Sequence, residues 1–161
     1  MKLVLFRHGI AVDREDPDCP ADPDRTLTDR GIRRTLAAAR GLKALGVSPD
    51  TIRTSPYRRA VQTAGIAAEV LGVSPDRVEI TDLLLPGASP REAADLARDL
   101  GVETVLFAGH APGLDLILSS LLDLSRTTLP LKKAGAACVE LNEDARLCWF
   151  LEPRALRLLG G

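Results

Sequence analysis

The chain has 161 residues, of which 45% are hydrophobic and 27% charged, with a formal net charge of -1 and a sequence pI near 6.1. That length is enough to bury a core without staples, and residues 1–161 are expected to form a single domain. The near-neutral balance gives no bulk basic field and argues against nucleic acid as a partner, while no apolar run reaches the roughly eighteen residues of a membrane span.

The first element is Leu3 to Gly9, LVLFRHG. Four consecutive apolar residues predict a strand buried on both faces, with Arg7, His8 and Gly9 presented at its carboxyl end. Ile10 to Asp24 follows as a surface loop, because three prolines and six acids between Asp13 and Asp24 leave no apolar period. The loop lacks the glycine turn of a calcium site, and its carboxylates are placed to temper nearby arginines. Thr28 is the expected N-cap of a helix reaching Leu45, with Ile32, Leu36, Ala39 and Leu42 on its core face and Gly46 at its stop. Gly31 weakens that helix.

A phrase then repeats: Leu45-Gly46-Val47-Ser48-Pro49-Asp50 returns as Leu71-Gly72-Val73-Ser74-Pro75-Asp76. Each copy ends a helix on glycine, turns at proline and enters a strand. Strands are predicted at Thr51 to Ser55, Arg77 to Thr81 and Glu103 to Ala108. Between the first two runs SPYRRAVQTA, a helix with Pro56 in its first turn. Ser89, Pro90 and Glu92 form the capping box of another helix, which Leu100-Gly101-Val102 closes. A further helix begins near Pro112, with Leu114, Ile117, Leu118, Leu121 and Leu122 as its core stripe. Ala137 to Leu141 and Arg146 to Leu151 read as a hairpin, and Pro153 to Leu159 as a short helix. The fold class is therefore α/β: a three-layer α/β/α arrangement around a mostly parallel central sheet with an antiparallel edge.

Cys19, Cys138 and Cys148 make an odd set with no C-x-x-C spacing and no leader before them, which fits free thiols in a reducing cytoplasm. Cys138 and Cys148 fall where they can face each other across neighbouring strands. No close pair of metal ligands occurs, so neither metal nor cofactor is expected.

The chain has only two histidines, and each follows an apolar strand with a glycine beside it: LVLFRHG and VLFAGH. Ligands of open α/β sheets bind at the carboxyl ends of strands, so His8 and His110 are expected to share one pocket. One nitrogen of a neutral histidine can attack phosphorus when a backbone carbonyl holds the other. Arginines nearby would bind phosphate and disfavour a proton on the imidazole. Arg7 adjoins His8, with Gly9 turning the backbone so that both side chains reach one ligand. Arg59 sits near a helix N-terminus, where cations are odd for stability and useful for an anion. Its neighbour Arg58 reads as a solvated charge. His110, before a helix start, is placed to donate to the same phosphate oxygens.

With these residues assembled, the sequence resembles the histidine phosphatase superfamily, with its phosphoglycerate-mutase-like fold, and within it the short SixA-type phosphohistidine phosphatases. Arg7, His8 and Gly9 match the R-H-G signature, and Arg59, Ala60, Gln62 and Thr63 match the R-A-x-Q-T phrase. Leu27, Thr28 and Gly31 match L-T-x-x-G, and His110 in GHAPG matches the later histidine. The resemblance implies that His8 carries a phosphohistidine intermediate and that Arg7, Gly9, Arg59 and His110 bind phosphate. It also implies a phosphorylated protein substrate, typically a histidine-containing phosphotransfer domain in signal transduction.

Many superfamily members place a glutamate after the third strand to protonate a leaving alkoxide; this chain has Asp82, which reads equally as a general acid or a turn residue. A poor acid favours a phosphoramidate, whose imidazole leaves with less help. Residues 81 to 102 hold one helix and leave little chain for a lid, so an open pocket is expected. Two alternatives stand beside this reading: a small phosphomonoester phosphatase or mutase using the same nucleophile, and a noncatalytic phosphate-binding module.

Overall fold

The computed structural model of the chain describes residues 1–125 and 129–161. Six strands form one sheet: β1 (Lys2–Arg7), β2 (Thr51–Thr54), β3 (Val78–Ile80), β4 (Thr104–Gly109), β5 (Ala136–Leu141) and β6 (Ala145–Leu151). Their spatial order is β3-β2-β4-β1-β5-β6. The first four pair in parallel, and β5 and β6 add the antiparallel edge as a hairpin. The expected fold class is therefore the one observed.

The run LVLF works as its composition predicts: Leu3, Val4, Leu5 and Phe6 are each at most 1% exposed. Burying each such side chain contributes about 1.5–3 kcal/mol. Successive strand residues serve opposite faces. Val4 and Phe6 join a core with Ile52, Leu106 and Cys138 under α1 (Asp29–Ala44), α2 (Arg58–Leu71) and α5 (Pro153–Leu159), whereas Leu3 and Leu5 join Val105, Phe107 and Val139 under α3 (Pro90–Asp99) and α4 (Gly113–Leu121).

The helix ends follow their capping chemistry. Thr28 Oγ1 accepts from the Gly31 amide at 3.0 Å and Ser89 Oγ from Glu92 at 3.3 Å, while Gly46, Gly72 and Gly101 take positive φ after their helices. Helix α2 starts at Arg58, two residues later than Pro56 suggested.

Two expectations for α1 need correction. Ile32 is 39% exposed, and the buried row is Thr35, Ala38, Ala39 and Leu42. The cause is α5, which lies so close that a Cβ on Gly41 would collide with the Leu156 carbonyl, turning the buried stripe toward that contact. Gly31 is not a weakness but a fitting: a Cβ there would strike the Ile10 carbonyl. Cys138 and Cys148 belong to one cluster at the β5–β6 bulge, and burial, then Cys148, pushes the Cys138 thiol up to about 12.

Candidate active site

The register of β1 against β4 builds the site. Arg7 pairs with Gly109, and the His8 amide donates to the Gly109 carbonyl at 2.9 Å, so both chains leave the sheet side by side. The two imidazole centroids stand 5.1 Å apart, and both rings are buried, at 6% and 4% exposure. His8 Nδ1 donates to the Gly9 carbonyl at 2.7 Å, leaving Nε2 with its lone pair. Arg59 Nε points at that nitrogen from 3.4 Å. The Ser55 hydroxyl accepts from the Tyr57 amide at 3.3 Å and lies 2.8 Å from His110 Nε2. His110 Nδ1 is a buried atom with no hydrogen-bond partner among the described residues.

The arginines are held from several sides. Arg59, 3% exposed at the first turn of α2, stacks over Tyr57 at 5.0 Å, and its backbone carbonyl accepts from Thr63 Oγ1 at 2.8 Å. Thr63 in turn accepts the Gly9 amide at 3.2 Å. Arg7 donates to the Leu131 carbonyl at 2.6 Å, and the Leu131 amide donates to the buried Asp115 carboxylate at 2.9 Å. The Ala134 amide reaches the Arg7 carbonyl at 3.1 Å, and Ala134 takes a φ of 60°, an uncommon conformation for a residue with a Cβ. Arg7 Nε, like His110 Nδ1, is buried without a hydrogen-bond partner among the described residues. Arg7, Arg59 and the two imidazoles line one cleft, an arrangement of cations and ring nitrogens that suits a tetrahedral oxyanion.

Both histidines are neutral over the physiological range. Burial above all, then the charges of His110, Arg59 and Arg7, takes His8 down to about 3 against the pull of the Gly9 carbonyl. Burial and then Arg59 lower His110 to about 4. Desolvation leads this effect, with the arginines expected to cause it contributing less.

The cleft over these groups has a volume of about 510 Å³ and carries Arg7, Arg14, Arg25, Arg59 and Lys133 against two lining carboxylates, Asp13 and Glu15. A chain of net charge -1 thus concentrates positive charge at one place. Behind the lining, Asp22 binds Arg59 at 3.3 Å, Arg25 at 2.8 Å and Arg14 at 3.2 Å. Partial burial works against its charge, yet bonds to Arg25 and Arg59 hold its carboxyl down at about 2. Asp22 thus ties the acidic loop to three arginines. Arg58 is exposed, as its solvated reading required.

This geometry bears on two more of the residues the sequence singles out. Gly9 has no positive φ and its amide is bonded to Thr63, so its part is to hold His8 and to leave room for Thr35, which a Cβ would strike. Asp82 is exposed, opens a 3-10 turn capped by Thr81, and does not line the cleft; from that segment only Pro86 does. Asp22, Ser55, Asp115 and Lys133 were not foreseen. Among the described residues no three His, Cys, Asp or Glu side chains are grouped to hold a metal ion, and no helix is long and apolar enough to cross a membrane.

Residues 3–84 match the sequence profile of the histidine phosphatase superfamily (branch 1). The chain belongs to the histidine phosphatase superfamily. An uncharacterized protein of Picosynechococcus sp. is 33% identical over 97% of this chain and 99% of its own. A 2,3-bisphosphoglycerate-dependent phosphoglycerate mutase of Corynebacterium diphtheriae is 38% identical over 66 residues, 41% of this chain and 27% of that one. Among solved structures, the protein histidine phosphatase SixA complexed with tungstate aligns with a TM-score of 0.86 at 26% identity, covering 97% of this chain and 99% of that one. A phosphoserine phosphatase of Entamoeba histolytica, at 19% identity and a TM-score of 0.74 over 96% and 98%, shares the fold. As a superfamily member the chain has the phosphoglycerate-mutase-like architecture, and Arg7 and His8 of R-H-G, Arg59 of R-A-x-Q-T and the later histidine, His110, line one cleft.

Proposed function

We propose that the protein is a phosphohistidine phosphatase acting on a phosphorylated protein, for which a histidine-containing phosphotransfer domain is the fitting type. His8 Nε2 attacks phosphorus; the N–P bond of the substrate breaks as the new N–P bond forms, and the departing imidazole takes a proton from solvent. Water then attacks phospho-His8 and releases inorganic phosphate, restoring the neutral ring. Arg7 and Arg59 would bind the equatorial oxygens, and the His110 imidazole would donate as charge grows on them.

The observation that carries the reading is the neutral His8 with its Nε2 lone pair between Arg59 and His110. The likeness to a SixA phosphatase holding tungstate, a tetrahedral oxyanion, supports it. So does the acid: Asp82 is away from the cleft and Asp22 is too strongly paired to give a proton near pH 7. A phosphoramidate needs that proton less than an ester does.

A second reading, a phosphomonoester phosphatase or mutase, draws support from exposed Glu15, a carboxyl group that lines the cleft. Purified protein offered phosphohistidine and a panel of phosphoesters decides between them. Phosphohistidine is expected to turn over fastest, with Glu15→Gln changing little; faster ester turnover that collapses in Glu15→Gln would favour the second reading.

A further inference from the structure

Beside the cleft lies a second groove, of about 500 Å³, whose walls share Arg7, Ile10 and Lys133 with it. Its other cations come from three parts of the chain: Arg34 from α1, Lys132 from the segment before β5, and Arg154 and Arg157 from α5. Among the described residues that makes six cations, and no carboxylate lines the groove. Among the described residues, the one ion pair involving any of them joins Lys132 to Glu152 at 2.7 Å. Burial, then Arg30 and Arg157, lower the Arg34 pKa, as expected where like charges crowd. Such crowding is destabilising within the free protein and is relieved by an external anion.

The construction fits an extended partner better than a small anion. Lys132, Lys133 and Arg154 are exposed, on long side chains spread across separate elements, whereas small-ligand sites converge buried polar groups on one point. Among the described residues no aromatic side chain lines the groove to stack a base, which disfavours a nucleic acid strand. Its continuity with the cleft means that whatever lies along it flanks the group being processed.

We propose that this groove docks an acidic face of the phosphorylated protein whose phosphohistidine enters the cleft, an inference that rests on the function proposed above. Charge complementarity of this exposed kind steers encounter and lowers KM, is screened by salt, and leaves the chemical step alone.

The test uses synthetic peptides with one phosphohistidine flanked by a run of glutamates, glutamines or lysines, with phosphoramidate as the small substrate. Wild type is expected to favour the glutamate peptide over the glutamine one by about tenfold in kcat/KM, through KM, with the advantage shrinking as ionic strength rises. Arg34→Glu/Arg154→Glu should abolish the preference and keep phosphoramidate turnover within about twofold. Arg34→Gln/Arg154→Gln, the gentler change, should reduce it, with thermal melting confirming that both variants fold. Equal use of the three peptides, or a preference untouched by both variants, would overturn the docking surface and leave the phosphatase reading standing. Stronger inhibition by a short single-stranded DNA than by the unphosphorylated glutamate peptide would reassign the groove to nucleic acid. Absence of any phosphohistidine or phosphoramidate turnover would overturn both readings together.

Discussion

The carboxyl ends of β1 and β4 can be set against that of β3. All three belong to parallel strands of one sheet, and each is followed within two residues by a group suited to acid–base or nucleophilic chemistry: His8, His110 and Asp82. The first two strands are neighbours in the middle of the sheet and bring their imidazoles to 5.1 Å; the third is the sheet edge and leaves its carboxylate exposed in a turn. Position in the strand order, more than the local motif, decides which strand end reaches the reacting centre. Central placement also supplies burial, which keeps both rings neutral.

The comparison breaks first at the anion-binding groups. Arg59→Ala or His110→Gln should lower kcat for phosphohistidine by about 10²–10³, measured by phosphate release, because each removes a donor aimed at developing charge. Arg59→Lys should recover little, since an ammonium lacks the guanidinium fork.

A second test concerns what burial costs at the central strand ends. In the folded chain both histidines lie well below their ordinary 6.5, at about 3 and about 4, so as pH falls the unfolded chain binds protons first. Stability contributed by the neutral rings is therefore present above pH 6.5 and lost progressively below it, to about pH 4 for His110 and about pH 3 for His8. Thermal melting across that range should show a steep fall in Tm that His8→Gln/His110→Gln flattens. An equal slope in wild type and double variant would refute buried neutral imidazoles.

Asp115 sharpens the comparison, since it supports β1 from α4 through the Leu131 amide, whose residue's carbonyl holds Arg7. Asp115→Ala should raise KM for phosphohistidine about tenfold while lowering kcat less, and cost about 1–3 kcal/mol of stability by denaturant unfolding. Asp115→Asn keeps an acceptor for Leu131 and should restore most of both.

The smallest effect belongs to the edge strand. Asp82→Asn should change phosphohistidine turnover by less than about twofold. A hundredfold loss would mean that the edge strand end does reach the substrate.

What the sequence makes legible follows the same division. The four site residues Arg7, His8, Arg59 and His110 sit at strand and helix ends that apolar runs, glycines and prolines announce locally, and each is found in the cleft. Asp22 and Asp115 act on arginines through contacts with Arg59 and with Leu131, from a loop with no period and from a helix stripe that reads as pure packing. Nothing near either residue announces its partner. The misplaced face of α1 has the same origin: Ile32 fits the helical period, but Gly41 lets α5 approach and selects a different stripe. Asp82 fails for the converse reason, since a strand end can be read from sequence while the strand's place in the sheet cannot.

The most direct measurement is to mix the protein with a labelled phosphoramidate donor, quench in base to preserve phosphohistidine, and map the adduct by mass spectrometry. The account predicts acid-labile label on His8 of wild type, label that accumulates in His110→Gln if release slows, and none in His8→Ala. Label on another residue, or turnover by His8→Ala at the wild-type rate, would contradict it.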